Sequence, residues 1–144
     1  MPEKKSPKQT QIILFCIFML YPLLGMGVDL ISPSLPSISE DLSVSQGFSK
    51  NLVSIYFLGF GLGNFFYGLL SDFLGRRKGV LFGLLAFTIA STLPILISTP
   101  NVLFIARLSQ GLAAGVFAVS LRSSVSNLFP AEKMAQIAAF ITAV

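Results

Sequence analysis

The stretch "GLLSDFLGRRKGV", residues 68–80, sets one acid and three cations between two runs too apolar to rest in water. A membrane-spanning helix needs about 20 mostly apolar residues, because hydrocarbon offers backbone N–H and C=O groups no partner except each other. Residues 52–70 lead into the stretch and residues 79–98 lead away from it. The charged cluster is therefore the loop joining two spans, and Gly75 permits its tight reversal.

Working outward, residues 11–31 and 102–121 are apolar enough to span as well, and a fifth apolar helix starts near Glu132 and is cut off at Val144. The fold class expected is an all-α integral membrane protein. It comprises a polar tail (residues 1–10), four complete transmembrane helices and the start of a fifth, as a truncated N-terminal bundle. Composition agrees: of 144 residues 53% are hydrophobic and 11% charged, against roughly 25% charged in soluble domains. Net charge is +4. Lys4, Lys5, Lys8, Arg76, Arg77 and Lys78 all fall at the ends of apolar runs, so topology accounts for the basic balance and no nucleic-acid partner is expected. The basic N-terminus followed by an apolar run imitates a signal peptide, but the run is too long and lacks a small-residue cleavage site, so it reads as a retained first span.

Lys and Arg also assign the sides of the membrane. The tail, the second loop and the fourth loop (Arg122, Lys133) are basic, whereas the first loop has a single cation and the third, residues 98–101, has none. The alternation places the N-terminus in the cytoplasm. The links between the second, third and fourth spans are a few residues long, which predicts antiparallel neighbours in a helical bundle.

The charges of the second loop oppose their helix dipoles. Asp72 ends the second span, where the macrodipole is negative, and Arg76, Arg77 and Lys78 precede the third span, where it is positive. The positive-inside preference compensates the cations but not Asp72, which therefore needs a tertiary partner such as a cation or another helix N-terminus. Gly68, one turn earlier, clears a face on which that partner can approach. The bland alternative is a solvated hairpin in which Asp72 pairs loosely with Arg76, worth about 0.5 kcal/mol.

These residues carry a resemblance. Gly68-x-x-x-Asp72-x-x-Gly75-Arg76-Arg77 resembles the signature loop between the second and third helices of major facilitator superfamily transporters. The wider "GNFFYGLLSDFLGRRK", residues 63–78, is similar to its form in bicyclomycin-resistance-type drug/proton antiporters, with Asn64 in place of a usual glutamine and Leu69 in place of a frequent proline. The resemblance implies a conformational latch in which the acid engages a helix of the transporter's second half. It also implies about twelve helices in two six-helix halves, each built of inverted three-helix repeats.

Asp29 and Arg107 are the ionisable residues within the expected spans. Each costs about 2.5–3.5 kcal/mol at the bilayer centre, so they are expected to face one another or the same watery cavity rather than lipid. At a rise of about 1.5 Å per residue both fall in the outer half of the bilayer. Tyr21, Gly25 and Asp29 recur at i, i+4 and i+8, an aromatic, small and acidic stripe suited to a cationic or amphipathic guest. The alternative is that Asp29 merely ends the helix at headgroup level. On the fourth span, Arg107 and Gln110 precede a small-residue stripe of Ala114, Gly115 and Ala118 that lets another helix approach. The segment from Asp29 through Pro33 and Pro36, and the one from Arg107 through Gly111, resemble further antiporter motifs. The resemblance implies roles for Asp29 and Arg107 in proton and substrate coupling, with Tyr21, Gly25 and Gln110 as cavity candidates.

With no histidine, one cysteine (Cys16) and no clustered acids, neither a metal site nor a cofactor is expected, nor an enzyme. The glycine-rich run at residues 59–63 follows no strand and lacks G-x-G-x-x-G spacing, so it reads as helix packing rather than a phosphate loop. The resemblance implies proton-coupled efflux of drugs or similar amphipathic molecules from a bacterial inner membrane. The expected partners are a small-molecule substrate, protons, the lipid bilayer and a missing C-terminal half. Open alternatives are a carrier for a sugar or metabolite, a non-transporting membrane fragment or assembly subunit, and a small dimeric four-helix exporter.

Overall fold

The computed structural model describes Met19, Met26, Gly27 and residues 29–126, without the side chains at 70–74, 76–77 and 124–126. Most of the expected first span, with Tyr21 and Gly25, and the start of the fifth lie outside the described residues. Among the described residues, Met26, Gly27 and Asp29 are helical and Leu30 and Ile31 form a turn. A 3-10 turn (Ser32–Ser34) follows, then α1 (Leu35–Asp41), α2 (Gln46–Leu74), α3 (Arg76–Leu96) and α4 (Pro100–Ser126). The last three are long and apolar enough to cross a membrane over Gln46–Leu69, Lys78–Leu96 and Pro100–Ser123.

The helices begin before the spans read from hydropathy, and α2 and α4 also end beyond them, whereas α3 stops at Leu96, short of residue 98. α2 begins at Gln46 rather than near residue 52 because Ser45 Oγ accepts the Phe48 N–H at 3.2 Å and caps the first turn. Polar residues then continue the helix into the interface. The first loop is itself helical: Pro33 and Pro36 open the 3-10 turn and α1 at positions where a missing N–H is harmless. α1 is tied to α2 by a 2.6 Å hydrogen bond between the Ser39 and Ser49 hydroxyls. The reversal between α2 and α3 contracts to Gly75 alone, at φ +82° and ψ +135°, a conformation that strains any residue with a Cβ. Arg76, Arg77 and Lys78 accordingly fall inside the first turn of α3 rather than before it.

Short links predicted neighbouring helices, yet α2 and α3 make few contacts with each other, and α4 packs against both. The reason lies in side-chain size. Gly59 and Gly63 of α2 meet Gly111 and Gly115 of α4 backbone to backbone: a Cβ on Gly111 would overlap the Tyr56 carbonyl and lie 2.9 Å from the Phe60 nitrogen. On the other flank, a Cβ on Gly83 would lie 3.0 Å from Phe117 Cβ. Small residues such as Ala106, Ala113, Ala114 and Ala118 are buried, whereas Phe57, Phe65, Phe66, Leu81, Phe82 and Leu85 are exposed. A soluble core sorts the other way. Small-inside and large-outside is the packing expected where the surrounding solvent is as apolar as leucine and helices associate by close backbone approach.

Candidate functional site

A cavity of about 680 Å³ opens between the end of the first span, α3 and α4. Its size is that of a small-molecule site. Met26, Gly27, Leu30 and Ile31 form one wall; Leu84, Phe87, Thr88 and Ser91 of α3 a second; Leu103, Arg107, Gln110, Ala114 and Phe117 of α4 a third. The α4 residues share a wall because their spacings of three and four bring them round to one helical face.

Arg107 is the electrostatic feature of that wall. Its Nη1 donates to the Gly27 carbonyl at 3.0 Å, a contact across 80 residues of sequence. Gly27 lies in the last helical turn of its segment, where carbonyls run out of intrahelical donors and the macrodipole is negative. A guanidinium satisfies both deficits. Behind it, Tyr56 is 3% exposed, and a Cβ on Gly27 would come within 2.8 Å of the Tyr56 hydroxyl. Gly27 is thus the one residue type that lets the tyrosine close against this turn. The Tyr56 hydroxyl and Arg107 Nε are both buried and make no hydrogen bond among the described residues. Beside them Gln110, also buried, donates Nε2 to Ser91 Oγ at 3.2 Å, and Ser91 in turn donates to the Phe87 carbonyl at 2.8 Å, which cross-links α3 and α4 through the cavity wall.

The structure brings Arg107 and Gln110 to the cavity but does not join Asp29 to them. Asp29 is exposed, is absent from the cavity lining, and forms no ion pair with Arg107. Helical geometry gives the cause: residues two apart diverge by roughly 200° around the axis, so when Gly27 faces Arg107, Asp29 points away. Tyr21 and Gly25 lie outside the described residues. In the loop, Gly75 adopts the positive φ that the sequence required, and a Cβ on Gly68 would meet nothing within 4 Å. The side chains of Asp72, Arg76 and Arg77 are outside the described residues.

Sequence reasoning missed Tyr67. It is 7% exposed, and its hydroxyl donates to the Gly75 carbonyl at 3.3 Å, bracing the reversal from beneath. A Cβ on Gly79 would overlap both the Tyr67 ring and Ser120 Oγ, so the first turn of α3 can close on Tyr67 only with glycine there. The available signal was a tyrosine two turns before a charged loop in an otherwise phenylalanine-rich stretch, since a buried hydroxyl demands a partner.

Comparison with known proteins gives a consistent family. Residues 15–144 match the model of the Major Facilitator Superfamily. The chain is 29% identical over 123 residues to multidrug resistance protein D of Escherichia coli strain K12, covering 85% of this chain and 31% of that protein. It is also 29% identical over 131 residues to multidrug resistance protein MdtL of Vibrio parahaemolyticus, covering 91% and 33%. An uncharacterized transporter of Rickettsia bellii is 30% identical over 130 residues, covering 90% and 31%. The chain spans about a third of the length of these relatives.

Proposed function

Because the chain belongs to the major facilitator superfamily and is an integral membrane protein, we propose that it forms part of a secondary active transporter exporting amphipathic small molecules in exchange for protons. The membrane would be a bacterial inner membrane, with the N-terminus in the cytoplasm, as the distribution of Lys and Arg favours. The observation that carries the reading is the Arg107–Gly27 hydrogen bond on the cavity wall. It binds the first span to the fourth, the equivalent first members of the two inverted repeats expected of this superfamily, with an intramembrane charge at their junction.

In this mechanism the cavity opens alternately to the two sides of the membrane. Asp29 takes up and releases the proton. It follows Gly27 by two residues, so a change of charge there acts on the turn that Arg107 holds. An ionised Asp29 adds to the negative end of the helical turn that Arg107 holds, and a protonated one does not. The loop around Gly68, Asp72, Gly75, Arg76 and Arg77 serves as the cytoplasmic latch, with Tyr67 fixing its backbone. Names of relatives as multidrug resistance proteins support a drug-like cargo. The test is Asp29→Asn in the natural protein, assayed as pH-gradient-driven efflux from membrane vesicles: efflux is expected to vanish while the protein still inserts. Unchanged efflux removes Asp29 from the mechanism.

A further inference from the structure

The cavity is charged on one side of the ledger only. Among the described residues that line it Arg107 is the sole ionisable side chain, with Ser34, Thr88, Ser91 and Gln110 as neutral polar groups in an otherwise apolar wall. Among the described residues no acid is positioned to offset it: Asp29 is exposed off the lining, Glu40 and Asp41 are exposed on α1, and between Asp72 and Glu132 the sequence has none. Arg107 spends one of its five donors on the Gly27 carbonyl, a neutral group, which leaves its formal charge unanswered among the described residues. The stripe of Tyr21, Gly25 and Asp29 suggested a cationic or amphipathic guest, whereas the sole charge on the described lining is positive.

We propose that this cavity binds amphipathic anions. The acidic group, a carboxylate or sulfonate, pairs with the Arg107 guanidinium, whose planar fork suits two-oxygen acceptors. The apolar body, preferably aromatic, lies against Phe87, Phe117, Leu84 and Leu103. As a statement of the transported class this rests on the transporter reading, whereas the binding itself does not. An acidic head on an apolar body is the chemistry of both free amphiphiles and anionic lipids.

The test measures binding to the purified natural protein in neutral detergent of three ligands sharing one naphthalene body and bearing a sulfonate, an uncharged amide or a trimethylammonium group. The sulfonate is expected to bind at least about tenfold more tightly than the ammonium, the scale of one charge-assisted hydrogen bond. Arg107→Gln is expected to abolish the difference and Arg107→Lys to keep its sign. An ammonium ligand that binds the unaltered protein as tightly as the sulfonate overturns the proposal, with no variant needing to fold. Equal sulfonate affinity in a folded Arg107→Gln overturns it as well. Competition by phosphatidylglycerol but not phosphatidylcholine assigns a lipid as the natural occupant, and its absence a free amphiphile; either keeps the anion. Cation preference with intact gradient-driven efflux sinks the anion site alone, and sulfonate binding without gradient-driven movement sinks the transporter reading alone.

Discussion

Replacing Gly115 by alanine adds one methyl group where α2 and α4 touch backbone to backbone. The new Cβ would lie 2.7 Å from the Asn64 nitrogen and 3.0 Å from the Gly63 carbonyl carbon, and would overlap the Phe60 carbonyl oxygen. Ordinary van der Waals contact begins near 3.4 Å, so relieving the overlap with the Phe60 carbonyl requires the helices to part by about 1 Å. No flexible side chain is available to yield, and the separation also loosens the contacts of Gly59, Gly63 and Gly111 along the same seam. Overpacking of this kind costs about 1–3 kcal/mol, and the rigid backbone on both sides argues for about 3. Gly61, on the same α2, provides the control, because a Cβ there meets nothing within 4 Å. Alanine at that site improves helix propensity by about 1 kcal/mol. The same propensity gain offsets part of the cost at Gly115, so the two chemically identical substitutions are expected to differ by about 3 kcal/mol, Gly115→Ala losing about 2 and Gly61→Ala gaining about 1. The assay is unfolding of the purified chain in mixed micelles by titration with dodecyl sulfate, read by tyrosine emission, since Tyr56 and Tyr67 are buried and the chain has no Trp. A Gly115→Ala protein as stable as Gly61→Ala would refute the seam as the element holding α2 to α4.

Two further outcomes follow from the reversal at Gly75. Gly75→Ala must hold φ near +82° with a Cβ present, and is expected to lose about 1–3 kcal/mol in the same titration; no loss would contradict the strain. Gly79→Ala is expected to be severe beside Tyr67 and less so in a Tyr67→Leu background, because the added methyl group then collides only with Ser120 Oγ and no longer with the tyrosine. A double-mutant cycle reads the coupling, and additivity within about 0.5 kcal/mol would contradict the contact.

The three spanning helices and the glycine reversal were legible because they rest on local physics: apolar length, turn chemistry and the need of each backbone group for a partner. Three features were not. Hydropathy marks the stretch after the first span only as a loop, yet Pro33 and Pro36 start helical turns there, since proline is as good an opener as a breaker and the sequence does not mark which. The arrangement of α4 between α2 and α3 depends on which glycines meet, and Gly59, Gly61, Gly63 and Gly68 look alike until the helices are rotated against their neighbours. The partner of Arg107 was sought among acids, and Asp29 was the sole acid expected within a span. The structure gives it a carbonyl instead. Backbone acceptors occur at every residue, so no residue type announces them. Gln110 was nameable in advance because a polar side chain three residues from Arg107 returns to the same helical face.

The account stands on Arg107 facing a hydrated interior rather than acyl chains. A cysteine scan of α4 in a Cys16→Ser background tests this directly, using a membrane-impermeant thiol reagent that needs water at the thiol to form the reactive thiolate. A cysteine at residue 103, half-exposed on the cavity wall, is expected to react, and those at residues 105 and 112, on the outward face, to stay inert. Reaction confined to 105 and 112, or none at any position, would mean that the face carrying Arg107 meets no water, contradicting the proposed site.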